Sequence, residues 1–92
     1  MITVSVVDDI SVVREVLAKL INRTDDLRCV STHATAQEAL REIPRVRPRV
    51  VLMDVKLPGL SGVKCAQRLK ALTPDLRVLL LSVDSSGETV RR

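Results

Sequence analysis

The 92 residues contain no Phe, Tyr or Trp. The core must therefore be aliphatic, and a groove that stacks unpaired bases on aromatic rings is excluded. Glycine-rich phosphate loops are missing too: neither GxGxxG nor GxxxxGK followed by Ser or Thr occurs. Nucleotide binding by those routes is not expected. Cysteine is scarce, with Cys29 and Cys65 far apart and no CxxC spacing. A disulfide framework and a zinc cluster both need denser cysteine, so two reduced, buried thiols in a cytosolic protein are expected. No apolar run approaches the ~20 residues of a membrane span. No charged stretch followed by an apolar one opens the chain as an export signal would. A cytoplasmic protein without membrane contact is expected.

Apolar residues make up 46% of the chain, almost all of them Val, Leu, Ile and Ala. The net charge is +4 and the pI about 9.7. That balance permits contact with nucleic acid or anionic lipid without demonstrating it. The densest basic run, Arg41 to Arg49, reads as a solvated helix end and loop, because one short charged loop is not a face.

Short β-branched runs alternate with longer amphipathic stretches. Ile2 to Val7 predicts a strand. Ile10 to Ile21 predicts a helix, with Val13, Val16, Leu17, Leu20 and Ile21 on one apolar stripe. Leu27 to Ser31 predicts a weaker strand. Thr35 to Ile43 predicts a short helix opened by a Thr35–Glu38 capping box and stopped by Pro44. Val50 to Met53 is a wholly apolar run, the mark of a strand covered on both faces. A loop over Val55 to Ser61 leads to a helix from Gly62 to Leu72, with Val63, Ala66 and Leu69 inward. Val78 to Leu81 predicts a fourth strand, and Ser85 with Glu88 a second capping box. Strict alternation of this kind implies an α/β fold, a parallel sheet with helices on both faces, in one domain over residues 1–92.

In such sheets ligands bind beyond the carboxyl ends of the strands. The first strand ends in Asp8 and Asp9, the third in Asp54 and the fourth in Ser82. Three carboxylates and a hydroxyl then meet at one edge if those strands are neighbours. Close carboxylates repel one another, and one of them keeps a proton at neutral pH unless a cation compensates. Mg²⁺ suits the set, since it takes oxygen ligands and is often completed by phosphate. Such an ion also neutralises a phosphoryl group passing to a carboxylate nucleophile. Taken singly, each Asp reads as a helix cap or turn former, and Asp9 is placed to cap the first helix. Taken together at strand ends, the acidic cluster points to a site.

The string VVDD at Val6–Asp9 with VREVL after it, VVLMDVKLPGLSG at Val50–Gly62 and RVLLLS at Arg77–Ser82 together resemble the receiver domains of two-component response regulators. The order and spacing hold along the chain and are most similar to the subfamily with a helix-turn-helix DNA-binding output domain. The resemblance implies a flavodoxin-like (CheY-like), doubly wound sheet of strand order 2-1-3-4-5. It implies that Asp54 accepts a phosphoryl group from a sensor histidine kinase. It makes Asp9 a direct Mg²⁺ ligand, Asp8 a ligand through water, the Lys56 backbone carbonyl a third protein ligand, and Ser82 the switch hydroxyl. The output implied is transcription regulation, with DNA reached only through a domain absent from this sequence. No enzyme activity is implied beyond self-catalysed aspartyl phosphorylation and dephosphorylation.

The family also carries a Lys on a fifth strand that pairs with the phosphoryl group, and this chain stops before that strand. A sheet cut after its fourth strand, part of a longer protein, is the expectation. The apolar edge at Arg77–Ser82 would invite a homodimer. A receiver-like dimerisation or docking module that is never phosphorylated is the alternative. A phosphohydrolase of the haloacid-dehalogenase type would need a second Asp two residues after Asp54, where Lys56 stands. His33 reads as a plain loop histidine, with no acidic partner beside it in sequence.

Overall fold

The structure is a computed structural model that describes residues 1–82. The expected capping box at Ser85 and Glu88 lies outside the described residues. The element order is β1 (Ile2–Val7), α1 (Ser11–Arg23), β2 (Leu27–His33), α2 (Ala36–Val46), β3 (Val50–Asp54), α3 (Gly62–Leu72) and β4 (Arg77–Leu81). The four strands are all parallel and ordered β2-β1-β3-β4. The parallel sheet expected from the alternation, and the flavodoxin-like strand order implied by the resemblance, are therefore present over these elements.

Period-two alternation of side chains divides the core between the two faces of the sheet. Val4 and Val6 of β1 meet Ile21 and Leu17 of α1, with Val50 and Leu52 of β3 beside them. Val7, Val51 and Met53 point the other way, onto Ala39 and Ile43 of α2 and Cys65 and Leu69 of α3. β3 is the central strand of this second cluster, and its Val51 and Met53 are fully buried. Burial on both faces explains why its sequence is an unbroken apolar run.

Four local expectations need correction. The α1 stripe splits: Ile21 is buried and Val13 and Leu17 are half-buried, but Val16 and Leu20 are 50% and 55% exposed. The helix packs Ile21 and Leu17 against Val4 and Val6 of β1, and Val16 and Leu20 lie off that line. On α3, Cys65 takes the inward place expected of Val63, which is exposed. Pro44 does not stop α2, which runs to Val46. A proline in the last turn forfeits only one N–H bond, and Arg47 closes the helix instead with its N–H on the Ile43 carbonyl at 2.8 Å. Asp9 does not cap α1: the cap position is Ile10, without a side-chain bond.

Candidate functional site

The site forms because three strands deliver their last residues to the same edge. β1 lies between β2 and β3, and β3 between β1 and β4. Met53 is in register with Val7, and Asp54 with Leu81. Asp8 and Asp9 leave β1 beside Asp54, and Ser82 leaves β4 on its other flank. The carboxylates of Asp8, Asp9 and Asp54 each offer an oxygen within 4.8 Å of the others. Asp8 is buried, Asp54 half-buried and Asp9 exposed.

The β1–α1 corner holds Asp8 from several sides. Its N–H donates to the His33 carbonyl at 3.0 Å. Its Oδ1 accepts the Ile10 N–H at 2.9 Å, and its own carbonyl accepts from Arg14 Nη1 at 2.8 Å. Burial pushes the Asp8 carboxyl above its ordinary pKa of 3.8, and the facing Asp54 and Asp9 carboxylates push the same way. The Ile10 N–H and the Arg14 guanidinium oppose that rise. A buried acid pressed by two others is the electrostatic condition that a hard divalent cation relieves. Three carboxylate oxygens also match the donor chemistry of Mg²⁺. The residues present thus fit that ion.

The β3–α3 loop orients Asp54. The Lys56 N–H donates to Asp54 Oδ1 at 2.9 Å. The Lys56 side chain is exposed. Leu57 plugs back into the core at 6% exposure and anchors the loop. Gly59 turns the chain with φ 78°, a left-handed value at which glycine carries no Cβ penalty. Gly62 then brings α3 against the strand, its N–H on the Val55 carbonyl at 2.9 Å. Ser61 caps α3 by accepting the Lys64 N–H at 3.2 Å.

His33 is not a plain loop residue. It ends β2, is 4% exposed, and has both ring nitrogens engaged. Nδ1 lies 3.0 Å from Glu38 Oε1 and Nε2 2.9 Å from Ser31 Oγ. Ser31 Oγ continues to Ser5 Oγ at 2.6 Å. Glu38 therefore serves the histidine rather than completing the reciprocal half of a capping box; Thr35 does cap α2, at 3.0 Å from the Glu38 N–H. The signal for this network was the Glu five positions after His33, which only a strand-to-helix turn brings within reach. Arg14, Gly62 and Ser61 were also passed over as contributors to the site. Cys29 and Cys65 are both free, as expected, but only Cys65 is fully buried and Cys29, near the edge of the sheet, is half-buried; burial raises both thiols. No helix of the described residues is long and apolar enough to cross a membrane.

Comparison with known proteins agrees with this geometry. The response regulator receiver domain family matches residues 4–92. Response regulator GacA of Pseudomonas viridiflava is 36% identical over 83 residues, 90% of this chain and 39% of that protein. The DNA-binding transcriptional activator DevR/DosR of Mycobacterium tuberculosis is 36% identical over 90 residues, 98% of this chain and 42% of that protein. The chain thus spans about two fifths of the length of these relatives. Among solved structures, the response regulator domain of Thermotoga maritima CheB superposes with a TM-score of 0.85 at 27% identity, covering 95% of this chain and 66% of that one. A LuxR-family response regulator from Aurantimonas sp. SI85-9A1 gives 0.84 at 30% identity, covering 90% and 59%. Sequence, strand order and the strand-end carboxylates lead to one assignment: the chain belongs to the response regulator receiver domain family.

Proposed function

We propose that Asp54 accepts a phosphoryl group from a sensor histidine kinase, in a Mg²⁺-dependent transfer that switches a transcriptional output. The observation that carries this reading is the convergence of Asp8, Asp9 and Asp54 within 4.8 Å at the carboxyl edge of the sheet. One Asp54 oxygen is occupied by the Lys56 N–H. The other is left to form the new bond to phosphorus, while the bond from phosphorus to the donor breaks and its electron pair leaves with the donor. Asp8, Asp9, Asp54 and the Lys56 carbonyl would hold Mg²⁺, which when bound neutralises charge on the phosphoryl oxygens.

Ser82 supplies a hydroxyl one residue beyond Leu81, the register partner of Asp54, and so senses a phosphoryl group arriving there. DNA would be reached through a separate output domain, a reading supported by the DNA-binding activator among the relatives. The same reading places the protein in the cytoplasm with its kinase. It also includes a homodimer through the β4 side, where Leu79 is 43% exposed; a sedimentation coefficient that stays monomeric at every concentration would remove that part.

Incubation with acetyl phosphate and Mg²⁺ tests the central step. Intact-mass spectrometry is expected to show one added phosphoryl group, labile at high pH, and absent from Asp54→Ala. A modification that persists in Asp54→Ala would overturn the assignment, and an inert protein would favour the docking-module reading.

A further inference from the structure

The opposite end of the sheet carries a second concentration of charge. β3 and β4 start side by side, with Arg49 just before β3 and Arg77 opening β4. The Arg77 N–H donates to the Arg49 carbonyl at 3.1 Å, and the Arg49 N–H to the Thr3 carbonyl at 3.0 Å. Both arginines are thus rooted on fixed backbone. Arg47 is rooted too, at the end of α2, with a left-handed φ of 55°. Glycine is the usual occupant of that position, so an arginine there is held against a local conformational cost.

These three arginines line one cleft of about 700 Å³, with Ile2, Val50 and Leu72 among its apolar walls. Asp75 is the one carboxylate among the lining residues. Among the described residues, the side-chain ion pairs join His33 with Glu38 and Arg41 with Glu42, so none of the three cleft guanidiniums is paired. A solvated basic loop accounts for Arg47 and Arg49. It does not account for Arg77, which the sheet brings in from a different strand.

We propose that this cleft binds a small phosphate-bearing anion, a pyrophosphate or a nucleotide. A guanidinium fork engages phosphate oxygens two at a time, and three such forks around one cleft can engage more than one phosphate. The volume falls inside the roughly 300–1,000 Å³ of small-ligand sites. A nucleic-acid duplex is too wide to enter it. The site lies at the far end of the strands from Asp54 and is independent of chemistry there.

Titration of the full chain with inorganic pyrophosphate, and separately with ADP, both in EDTA, tests the proposal by two-dimensional amide NMR. Pyrophosphate is expected to shift the amides of Arg47, Arg49 and Arg77. Tighter binding of ADP would assign the apolar walls to an organic moiety, and equal binding would assign the site to inorganic phosphates. Arg49→Ala with Arg77→Ala should weaken binding about tenfold or more, the scale of a lost charge-assisted hydrogen bond. Arg49→Lys with Arg77→Lys, which keeps the charge and guards against a folding defect, should weaken it less. Arg68→Ala, a charge removed from outside the cleft, should leave it unchanged. Absence of shifts at the three arginines, or equal weakening by Arg68→Ala, overturns the proposal. So does a DNA duplex that binds through these arginines when pyrophosphate and ADP do not.

Discussion

A Cβ on Gly62 would overlap the main-chain carbonyl oxygen of Asp54 and stand 2.9 Å from Val55 Cα. The first residue of α3 is thus packed directly on the backbone of the site residue. Neither neighbour is the free end of a flexible side chain, so nothing yields cheaply. Gly62→Ala is expected to cost about 1–3 kcal/mol, the scale of overpacking in a close-packed interior. Urea denaturation should show the lowered midpoint, and Mg²⁺ titration a weakened affinity as Asp54 is displaced.

Mg²⁺ should stabilise the fold. At a concentration about a hundred times Kd, an ion that binds only the folded chain adds about 2.7 kcal/mol. Asp9→Ala and Asp54→Ala should each remove most of that gain in a thermal melt. A melt that ignores Mg²⁺ in the unsubstituted protein would place the ion elsewhere or nowhere.

Without the ion, stability should depend on pH through Asp8. Burial raises its folded pKa above the ordinary 3.8. The folded state therefore holds this proton more tightly than the unfolded state does. The associated stability is fully present below 3.8 and is lost as pH rises through the raised folded value. Denaturation across mildly acidic pH in EDTA should show that fall. Asp8→Asn should flatten it.

The Ser5–Ser31–His33–Glu38 chain of hydrogen bonds should contribute measurably. His33→Phe leaves the Ser31 hydroxyl with its Ser5 partner only. A loss of about 1–3 kcal/mol is expected for a buried polar group deprived of a partner. A double-mutant cycle with Glu38→Gln should return a smaller coupling, since the Glu38 carboxylate is 39% exposed and screened.

Pro44→Ala is expected to stabilise. It restores an N–H that can donate to the Leu40 carbonyl in the last turn of α2, and it relieves the ring against that turn. The unfolded chain gains freedom worth about 0.4–1 kcal/mol in the opposite direction. A net gain of about 1 kcal/mol in urea would agree with a helix-interior proline penalty of roughly 3 kcal/mol softened at the terminus.

β1 and β3 were legible as runs rich in β-branched residues and β4 as the apolar run Val78 to Leu81, while β2, with Arg28, Cys29 and Ser31 in it, was legible only in part and runs on to His33. The strand-end carboxylates followed from that, since a parallel sheet places every strand's last residue at one edge. Pro44 misled because a proline marks a stop only where the helix still needs the lost bond. Val16 and Leu20 misled because periodicity reports which residues share a face, and not how wide the contacted arc is. His33 differs from the expectation because its partners, Ser31 and Glu38, lie on either side of it in sequence, and Ser31 in turn bonds Ser5 of β1. The Glu five positions on was visible in the sequence, whereas Ser5 reaches the network only through the pairing of β1 with β2. Gly62 was legible as a helix opener, but its contact with the Asp54 carbonyl is a fact of three dimensions.

The pairing of β1 with β2 slips by one residue: Val4 faces Cys29, yet Ser5 faces Ser31, and Val30 is passed over. That surplus residue is slack in the outermost strand of the sheet. Below the slip β2 follows α1 and its loop; above it, β2 is locked in phase with Ser5 and hands its His33 carbonyl to Asp8. The slip thus sets the phase of the His33 end of β2, which touches Asp8, one residue apart from the phase of its Leu27 end.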